Sequence, residues 1–450
     1  MSKNITLKKG FDIKLKGKAE LNLLNVDQPE TFALKPTDFV GMIRPKALVK
    51  EGDTVKAGTP ILFDAKQEGV MYTAPVSGEV VGIIRGEKRR LMEVRILADK
   101  EIQYVEFPKY TDLASVSKED AKTAMLSSGV WPQLVQRPYA VVANPSQEPK
   151  AVFVSGFDSH PLAPDYEFLF KGQEQYLQAG IDILKKFAPE VHVTTNGKAG
   201  SSILAGLNAT QHKVSGPHPA GNVGVQIHHI NPINKGEVVW TINPFGLLQI
   251  GKLFLEGKYD ASKLVAVAGS ELNKTGYVQT YLGANVKKMV EGNLAQDNVR
   301  VISGNVLTGS SIEKDGYVGF YDHVISVLPE GDKPRFFLKD GWLGFITDRL
   351  SFHKAWGLLG GASKEYALDT SLNGEERAFV MTGAFEKVVP MDILPTHLIK
   401  AIMAKDYDNM EALGLYEVAE EDLALCEFID VSKHDVQGII REGIDMLRLS

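Results

Sequence analysis

Three histidines lie close together in the segment SGPHPAGNVGVQIHHINP and are the first candidates for a chemical role. They are His218, His228 and His229. Imidazole nitrogens at such spacing could bind a metal, but no acidic or cysteine ligand accompanies them in this segment. On a strand, the adjacent His228 and His229 would point to opposite faces. The pattern therefore favours loop and core positions, and we expect no metal site.

A second candidate is the segment from Gly246 to Lys252, which has the GxxxxGK spacing of a phosphate-binding loop. Leu253 follows, where a magnesium-binding Ser or Thr would be required, and the residues between the two glycines are mostly apolar. A phosphate loop needs exposed backbone N–H groups ahead of a helix. This stretch is itself typical of a helix, and no GxGxxG dinucleotide motif occurs in the chain.

The single cysteine, Cys426, could in principle be a nucleophile. No partner histidine can be identified from the sequence, and the flanking Leu423, Ala424, Leu425 and Phe428 are largely apolar. These neighbours favour a buried structural thiol. One cysteine also excludes a disulfide framework and a cysteine-ligated iron–sulfur cluster, which needs about four ligands.

The segment from Val49 to Arg95 contains two β-rich blocks in quasi-repeat, with turns at Gly52-Asp53 and Ser77-Gly78. It resembles the barrel-sandwich of lipoyl and biotinyl carrier domains, which modify one lysine at a hairpin tip. Here Lys66 lies about two residues short of the carrier position, and Glu68 occupies that place. The segment therefore predicts a structural barrel with an ordinary surface lysine, and it disfavours a carrier enzyme.

Composition sets the class of the chain. With 450 residues, a 44% hydrophobic and 24% charged content and a net charge of −6, it is typical of a multidomain globular protein. The negative charge argues against a nucleic-acid partner. No apolar run reaches the roughly 18 residues of a membrane span, and the N-terminus lacks the apolar core of a signal peptide. We expect a cytoplasmic location.

The order of predicted elements indicates a multidomain α/β protein with four parts. Residues 1–105 form an N-terminal arm and the barrel-sandwich hybrid, and 106–260 an α/β domain with strands at Ala151–Ser155, Val191–Thr195 and Val238–Ile242. In residues 261–330 the order is strand, turn, strand, short helix, strand, as in a small β-grasp module.

The fourth part, residues 331–450, is predicted to be a mainly helical domain, although 313–375 are hard to place. It ends in a helix from Val436 to Leu449 with an apolar stripe. A further helix with N-cap Ser117 is expected to run to about Ser127, in the first part of the 106–260 domain.

Specific segments across the whole chain resemble one family, the A subunit of the sodium-translocating NADH:quinone reductase. They are LKKGFDIKLKG, VGMIRPKALVKEGDTVKAG, APVSGEVVGIIRGEKR, GPHPAGNVG, VISGNVLTG, EKVVPMDILP and EALGLYEVAEEDLALCEF. That family is related to the C subunit of the Rnf complex and, more remotely, to the NADH-binding flavoprotein subunit of complex I. The resemblance implies a Rossmann-like domain, a β-grasp domain of the soluble-ligand-binding type and a degenerate ferredoxin-like C-terminal domain.

Differences from those relatives predict lost cofactors. In them a GxGGAGFPT loop lets the backbone approach FMN, whereas the corresponding segment here, Ser128 to Pro138, contains Trp131 and Leu134. The two cysteine sets that hold iron–sulfur clusters in the Rnf relative correspond here to Phe379, Thr382, Phe385 and Val389, and to Glu420, Leu423, Cys426 and Asp430. We expect neither FMN nor an iron–sulfur cluster, with apolar side chains filling the cluster volume.

The resemblance further implies a peripheral subunit on the cytoplasmic face of the bacterial inner membrane. Its partners would be the other subunits of the complex, through which it would contact the membrane, and no independent catalysis is expected.

Two roles remain open: a contribution to the quinone site, or a purely structural scaffold. If quinone binds, the segment replacing the FMN loop is the best candidate, with Trp131 for stacking and Arg137 as a donor to a carbonyl oxygen. The alternative places Trp131 in the core and Arg137 in a surface ion pair.

Overall fold

The computed structural model describes residues 2–199, 201–332, 350, 352 and 364–449. The strands in these ranges form four sheets. None of the helices in these ranges is long and apolar enough to cross a bilayer.

The N-terminal part contains the predicted barrel-sandwich. The first strand of the chain, β1 (Asn4–Thr6), joins the sheet of the second part. The strands of the barrel-sandwich are β2 (Thr31–Leu34), β3 (Pro45–Ala47), β4 (Thr54–Val55), β5 (Pro60–Asp64), β6 (Met71–Thr73), β7 (Gly78–Arg85) and β8 (Leu91–Ala98). One sheet has the order β2-β8-β7-β4 and the other β3-β5-β6. Alternating apolar residues such as Ile61, Val80 and Val94 are fully buried between them. Lys66 is exposed in the β5–β6 hairpin, as predicted.

The second part is an α/β domain built on a seven-stranded sheet. Its elements are α1 (Lys118–Ser128), β9 (Val135–Arg137), β10 (Val141–Val142), β11 (Val152–Ser155), α2 (Tyr166–Phe170), α3 (Glu174–Leu184), β12 (Val191–Asn196), α4 (Ser202–Ala205), β13 (Thr210–Ser215), α5 (Val223–Ile230), β14 (Val239–Ile242) and α6 (Pro244–Glu256). The predicted N-cap is confirmed, because Ser117 Oγ accepts from the Asp120 N–H.

The order of this sheet, β1-β13-β12-β11-β14-β9-β10, creates a switch point. The first five strands are parallel; β9 pairs with β14 in antiparallel fashion, and β10 pairs with β9 in antiparallel fashion. From β11 the chain adds β12 and β13 on one side and then returns to place β14 on the other. Loops leaving β11 and β14 therefore diverge and open a crevice at the carboxyl ends of these strands, the usual place for a ligand in an open α/β sheet.

The GxxxxGK segment is a helix, as its apolar residues indicated. It forms most of α6, which begins at the N-cap Asn243. A Cβ atom on Gly251 would lie 1.9 Å from the Tyr176 carbonyl oxygen, and Gly180 is similarly close to the Leu247 carbonyl. These glycines allow α3 and α6 to pack closely, so the spacing reflects helix packing and not phosphate binding.

The third part follows the predicted order of strand, strand, short helix and strand. Its elements are β15 (Ser262–Ala268), β16 (Gly276–Tyr281), α7 (Lys287–Val290), β17 (Val299–Ser303), β18 (Ser310–Ile312) and β19 (Val324–Pro329). They form a mixed sheet in the order β16-β15-β19-β17-β18, in which only the β15–β19 pair is parallel.

The described C-terminal residues are mainly helical, as predicted. Their helices are α8 (Phe385–Val388), α9 (Pro395–Met403), α10 (Tyr407–Ala412), α11 (Ala424–Ile429) and α12 (Val436–Leu449). Much of the hard-to-place segment 313–375 lies outside the described residues. At the positions of the relatives' cluster cysteines, Phe385, Val389, Leu423 and Cys426 are buried in one apolar cluster. They therefore form part of the core of the C-terminal part.

Candidate functional site

A cavity of about 480 Å³ lies at the switch point of the seven-stranded sheet, and we call it the central cavity. All four parts of the chain contribute to its wall. Asp38 comes from the barrel-sandwich, Asp158 from the loop after β11, Asp322 from the loop before β19, and Glu421 from the C-terminal part. Its size is within the range of small-molecule sites, and it lies where the fold favours one.

Arg137 lines this cavity and joins two domains. The side chain is only 3% exposed at the end of β9. Its Nη2 lies 2.6 Å from Glu421 Oε1 and its Nη1 lies 3.2 Å from Asp422 Oδ2. The Nε atom is buried and has no hydrogen-bond partner among the described residues. Arg137 is therefore a buried ion-pair partner, unlike the surface pair of the alternative interpretation, with one donor left over.

Trp131 lies in the core and does not line the central cavity. Its side chain is fully buried, its indole Nε1 donates to the Ala143 carbonyl at 2.8 Å, and its ring contacts Phe187 and Trp240 edge to face. Arg137 lies only six positions further along the chain, but the structure brings just one of the two predicted site residues to the cavity.

A polar network lies at the cavity wall beyond β11. Asp158 accepts from the Tyr166 hydroxyl at 2.9 Å, and its Oδ2 lies 3.3 Å from His160 Nε2. Burial raises the pKa of Asp158, but the pairing with His160 outweighs it and the pKa lies below its ordinary value. Burial lowers the pKa of His160, but Asp158 raises it by more, so the pKa of His160 lies above its ordinary value. The pair therefore favours its charged form.

His218 is the second buried group with a free nitrogen at this cavity. It is 4% exposed; its Nδ1 lies 3.0 Å from Ser159 Oγ, while its Nε2 has no partner among the described residues. Burial, helped by the nearby His160, lowers the pKa of His218 to about 3. The His218 ring is therefore uncharged at physiological pH, and its Nε2 can form a hydrogen bond with a ligand.

Carboxylates outnumber basic residues on the wall of the central cavity. The five lining acids are Asp38, Asp158, Asp322, Glu420 and Glu421. Arg137 is the only lysine or arginine among the lining residues. Burial raises the pKa of Asp38 to about 6, although Lys35 opposes this, so most of its charge remains at pH 7. Such a wall repels anions and suits a neutral ligand that accepts hydrogen bonds.

The other histidines and the cysteine have structural surroundings. His228 and His229 lie on helix α5 and not on a strand; His228 Nδ1 is 2.7 Å from Glu417 Oε2 and His229 Nε2 is 2.7 Å from the Pro390 carbonyl. No group of three potential metal ligands occurs among the described residues. Burial raises the pKa of Cys426 well above its usual value, which makes the thiol unreactive.

Sequence reasoning missed Asp158 and His160, although a signal was present. The run Gly156 to Pro161 directly follows the strand predicted at Ala151–Ser155. Polar residues at the carboxyl end of a buried parallel strand are the usual source of site residues in an α/β sheet. Asp38, Asp322 and Glu421 carried no such signal, because only the domain arrangement brings them to the cavity.

These features define a class: a multidomain chain with a carrier-type barrel-sandwich, an open α/β sheet and a ligand cavity at the switch point. Family models match three parts of it. They are described as the NqrA N-terminal barrel-sandwich hybrid domain (residues 5–99), the NqrA second alpha/beta domain (116–259) and the NQRA C-terminal domain (264–314).

Full-length relatives give the particular family. The chain is 35% identical to the A subunit of the Na(+)-translocating NADH-quinone reductase from Neisseria meningitidis serogroup B, over 98% of this chain and 99% of the relative. It is 36% identical to that of Haemophilus influenzae strain PittGG, over 98% and 99%. The chain belongs to this family. The crystal structure of an NAD+-reducing NiFe hydrogenase in the air-oxidized state is similar at 10% identity with a TM-score of 0.38, covering 78% of this chain and 67% of that chain.

Proposed function

We propose that the chain is the peripheral A subunit of a membrane NADH:quinone reductase that couples quinone reduction to sodium export, on the cytoplasmic face. The similarity to relatives of that name along nearly the whole chain supports this proposal. Its partners are then the remaining subunits, through which it contacts the membrane. The proposal also includes a Rossmann-like α/β domain and a β-grasp third domain, for which the switch point and the mixed sheet are the supporting observations.

In this proposal the central cavity receives the quinone ring. The observation that carries it is the pair of buried nitrogens without partners among the described residues, Arg137 Nε and His218 Nε2, both on residues of the cavity wall. Leaving a buried polar group unpaired costs about 1–3 kcal/mol, which a ligand with two acceptor oxygens would recover. A quinone ring carries two carbonyl oxygens and no charge, so it also suits a wall rich in carboxylates.

Within this proposal the two residues predicted from sequence take different roles. Arg137 keeps the expected role of donor to a carbonyl oxygen. Trp131 supports the backbone that leads to β9, because its faces and its N–H are already occupied by core residues. We propose no FMN and no iron–sulfur cluster, since bulky side chains occupy the segment from Ser128 to Pro138 and the former cluster positions.

The second candidate is a scaffold without ligand chemistry. The observation in its favour is the set of ion pairs from Arg137 in the α/β part to Glu421 and Asp422 in the C-terminal part, beside which Arg441 is held by Glu420 of its own part. Arg441 also donates to the Tyr139 carbonyl at 3.0 Å. In this candidate the two arginines act only as cross-links between domains.

Titration of the purified full chain with a short-chain soluble quinone separates the two candidates. We expect saturable binding that His218→Phe weakens about tenfold or more, because this change keeps an aromatic ring and removes Nε2. His229→Phe, on the same loop-helix segment but hydrogen-bonded to Pro390, is the control and should bind normally. Equal binding by wild type and His218→Phe, or no binding at all, would favour the scaffold.

A further inference from the structure

A second, smaller pocket of about 220 Å³ lies next to the central cavity, and we call it the side pocket. Its wall combines residues of the α/β part with the start of β15. The apolar part of the wall is formed by Phe168, Leu169, Phe170, Phe245, Leu248 and Leu264. The volume is below the roughly 300 Å³ at which drug-sized sites begin, so an occupant would be a small molecule.

The charged residues of the side pocket are all basic. Lys171, Lys252 and Lys263 line it, together with His323, and no Asp or Glu is among its lining residues. Lys252 is neutralised by Asp260 at 2.7 Å, and Lys171 is exposed at the edge. In a chain with a net charge of −6, a pocket lined only by basic charged residues is a local reversal of the prevailing charge.

Lys263 is the central group of this wall. It is 3% exposed, donates to the Asp322 backbone carbonyl, and its Nζ lies 4.9 Å from the centroid of the Phe245 ring. No carboxylate lies within ion-pair distance of it among the described residues. Lysine is almost never buried without a paired anion, because desolvating an ammonium group is costly.

The start of helix α3 lies at the side pocket. Its N-cap residue, Gln173, lines the pocket and makes no side-chain capping hydrogen bond. The N-terminus of an 11-residue helix carries a partial positive charge and free N–H groups. The first turn also carries Glu174, which accepts from the Gly172 N–H, so Lys263 remains the main cationic group of the pocket.

We propose that the side pocket binds a small organic anion with an apolar body, most simply a carboxylate, with the Lys263 ammonium as its counter-ion. The carboxylate would accept hydrogen bonds from Lys263, and the apolar body would pack on the phenylalanine rings. This site is separate from the central cavity, and its test involves no quinone.

Other charges explain why Lys263 responds to an anion. Burial lowers the pKa of Lys263 to about 7, although Asp322 and Asp38 on the far side of the wall oppose this change. His323, whose pKa lies well below its ordinary value because of burial and of Lys263, is neutral. A bound carboxylate favours the charged ammonium, so binding at pH 8 should take up protons.

The experiment is calorimetric titration of the full chain with benzoate at pH 8, in two buffers of different ionisation enthalpy. We expect saturable binding with proton uptake, at least tenfold weaker in Lys263→Met and unchanged in Lys185→Met, a matched change at the far end of α3. Absence of saturable binding by wild type, or equal binding by Lys263→Met, would overturn the proposal. Tighter binding of inorganic phosphate than of benzoate would contradict the apolar part of it.

A measurement on the unmodified chain covers the case in which Lys263→Met fails to fold. Lysines are acetylated with and without benzoate, and the modified peptides are quantified by mass spectrometry. Benzoate should protect Lys263 and leave Lys258, which lies against Tyr104, unprotected. Because Lys263 is 3% exposed, its modification is followed as a rate over hours, and an equal rate with and without benzoate would reject the site.

Discussion

The central cavity and the side pocket are neighbours with opposite charge. The wall between them includes His323, which lines both. On one side, five carboxylates face the space with Arg137 as the only lysine or arginine; on the other, three lysines face it with no carboxylate. Lys263 of the side pocket donates to the backbone carbonyl of Asp322, a residue that lines the central cavity.

This difference teaches that one shared wall can serve two kinds of ligand. The central cavity places neutral or donor nitrogens, Arg137 Nε and His218 Nε2, among acids and therefore suits an uncharged acceptor. The side pocket places a buried ammonium among aromatic rings and suits an anion with an apolar body. Because each wall disfavours the ligand of the other, the two sites would not compete for one molecule.

The largest effect is expected for a variant that breaks the ion pairs at the wall of the central cavity. Arg137→Ala leaves the fully buried Asp422 carboxylate without its cation, and removal of one partner from a buried pair typically costs about 3–5 kcal/mol. We expect the urea concentration at the unfolding midpoint of the full chain to be lower in Arg137→Ala than in wild type. Lys235→Ala, which breaks an exposed pair with Glu411, should leave the midpoint unchanged. A midpoint equally insensitive to Arg137→Ala would show that Arg137 does not organise the cavity.

The basic side is tested by the pH dependence of stability. The pKa of Lys263 is about 7 in the folded chain and 10.5 unfolded, so between these values the unfolded state binds more protons. Stability contributed through Lys263 therefore rises as pH increases from about 7 to 10.5. Without anion, Lys263→Met should be more stable than wild type at pH 7, by on the order of a few kcal/mol, and this advantage should shrink towards pH 10.

The measurement is urea unfolding of both proteins at pH 7, 8 and 9. A constant difference across this range would mean that Lys263 titrates near its ordinary pKa, and the argument for an uncompensated buried ammonium would fail. Adding benzoate at pH 7 should stabilise wild type and leave Lys263→Met unchanged.

Lys263 also shows where sequence reasoning stopped. The first strand of residues 261–330 was predicted, and in the structure it is β15, where Lys263 lies on the same face as the fully buried Val265 and Val267. Period-two spacing therefore groups the lysine with two buried valines, and this signal was available. The spacing of residues along the strand does not show that Lys263 lacks an acidic partner. That depends on how the third sheet packs against α6.

The fold was predicted better than the site for a physical reason. The N-cap at Ser117, the apolar stripe of Val436–Leu449 and the turn at Gly52 are local signals, and the structure confirms each. The turn predicted at Ser77-Gly78 is wrong, because Gly78 begins β7. The central cavity draws its acids from four distant segments, at Asp38, Asp158, Asp322 and Glu421. Only Arg137 of the predicted site residues lies in it, because Trp131, six residues earlier, turns into the core.

The smallest effect is expected at Trp131 and sharpens the boundary of the central cavity. Trp131→Phe removes the hydrogen bond to the Ala143 carbonyl and part of the contact with Phe187 and Trp240. A lost buried hydrogen bond and a small void together cost roughly 1–3 kcal/mol. Urea unfolding should show this loss, whereas the affinity for a soluble quinone should not change, since Trp131 does not line the cavity. A marked loss of quinone affinity at unchanged stability would instead restore Trp131 as a stacking partner and place the ring in the core segment replacing the FMN loop.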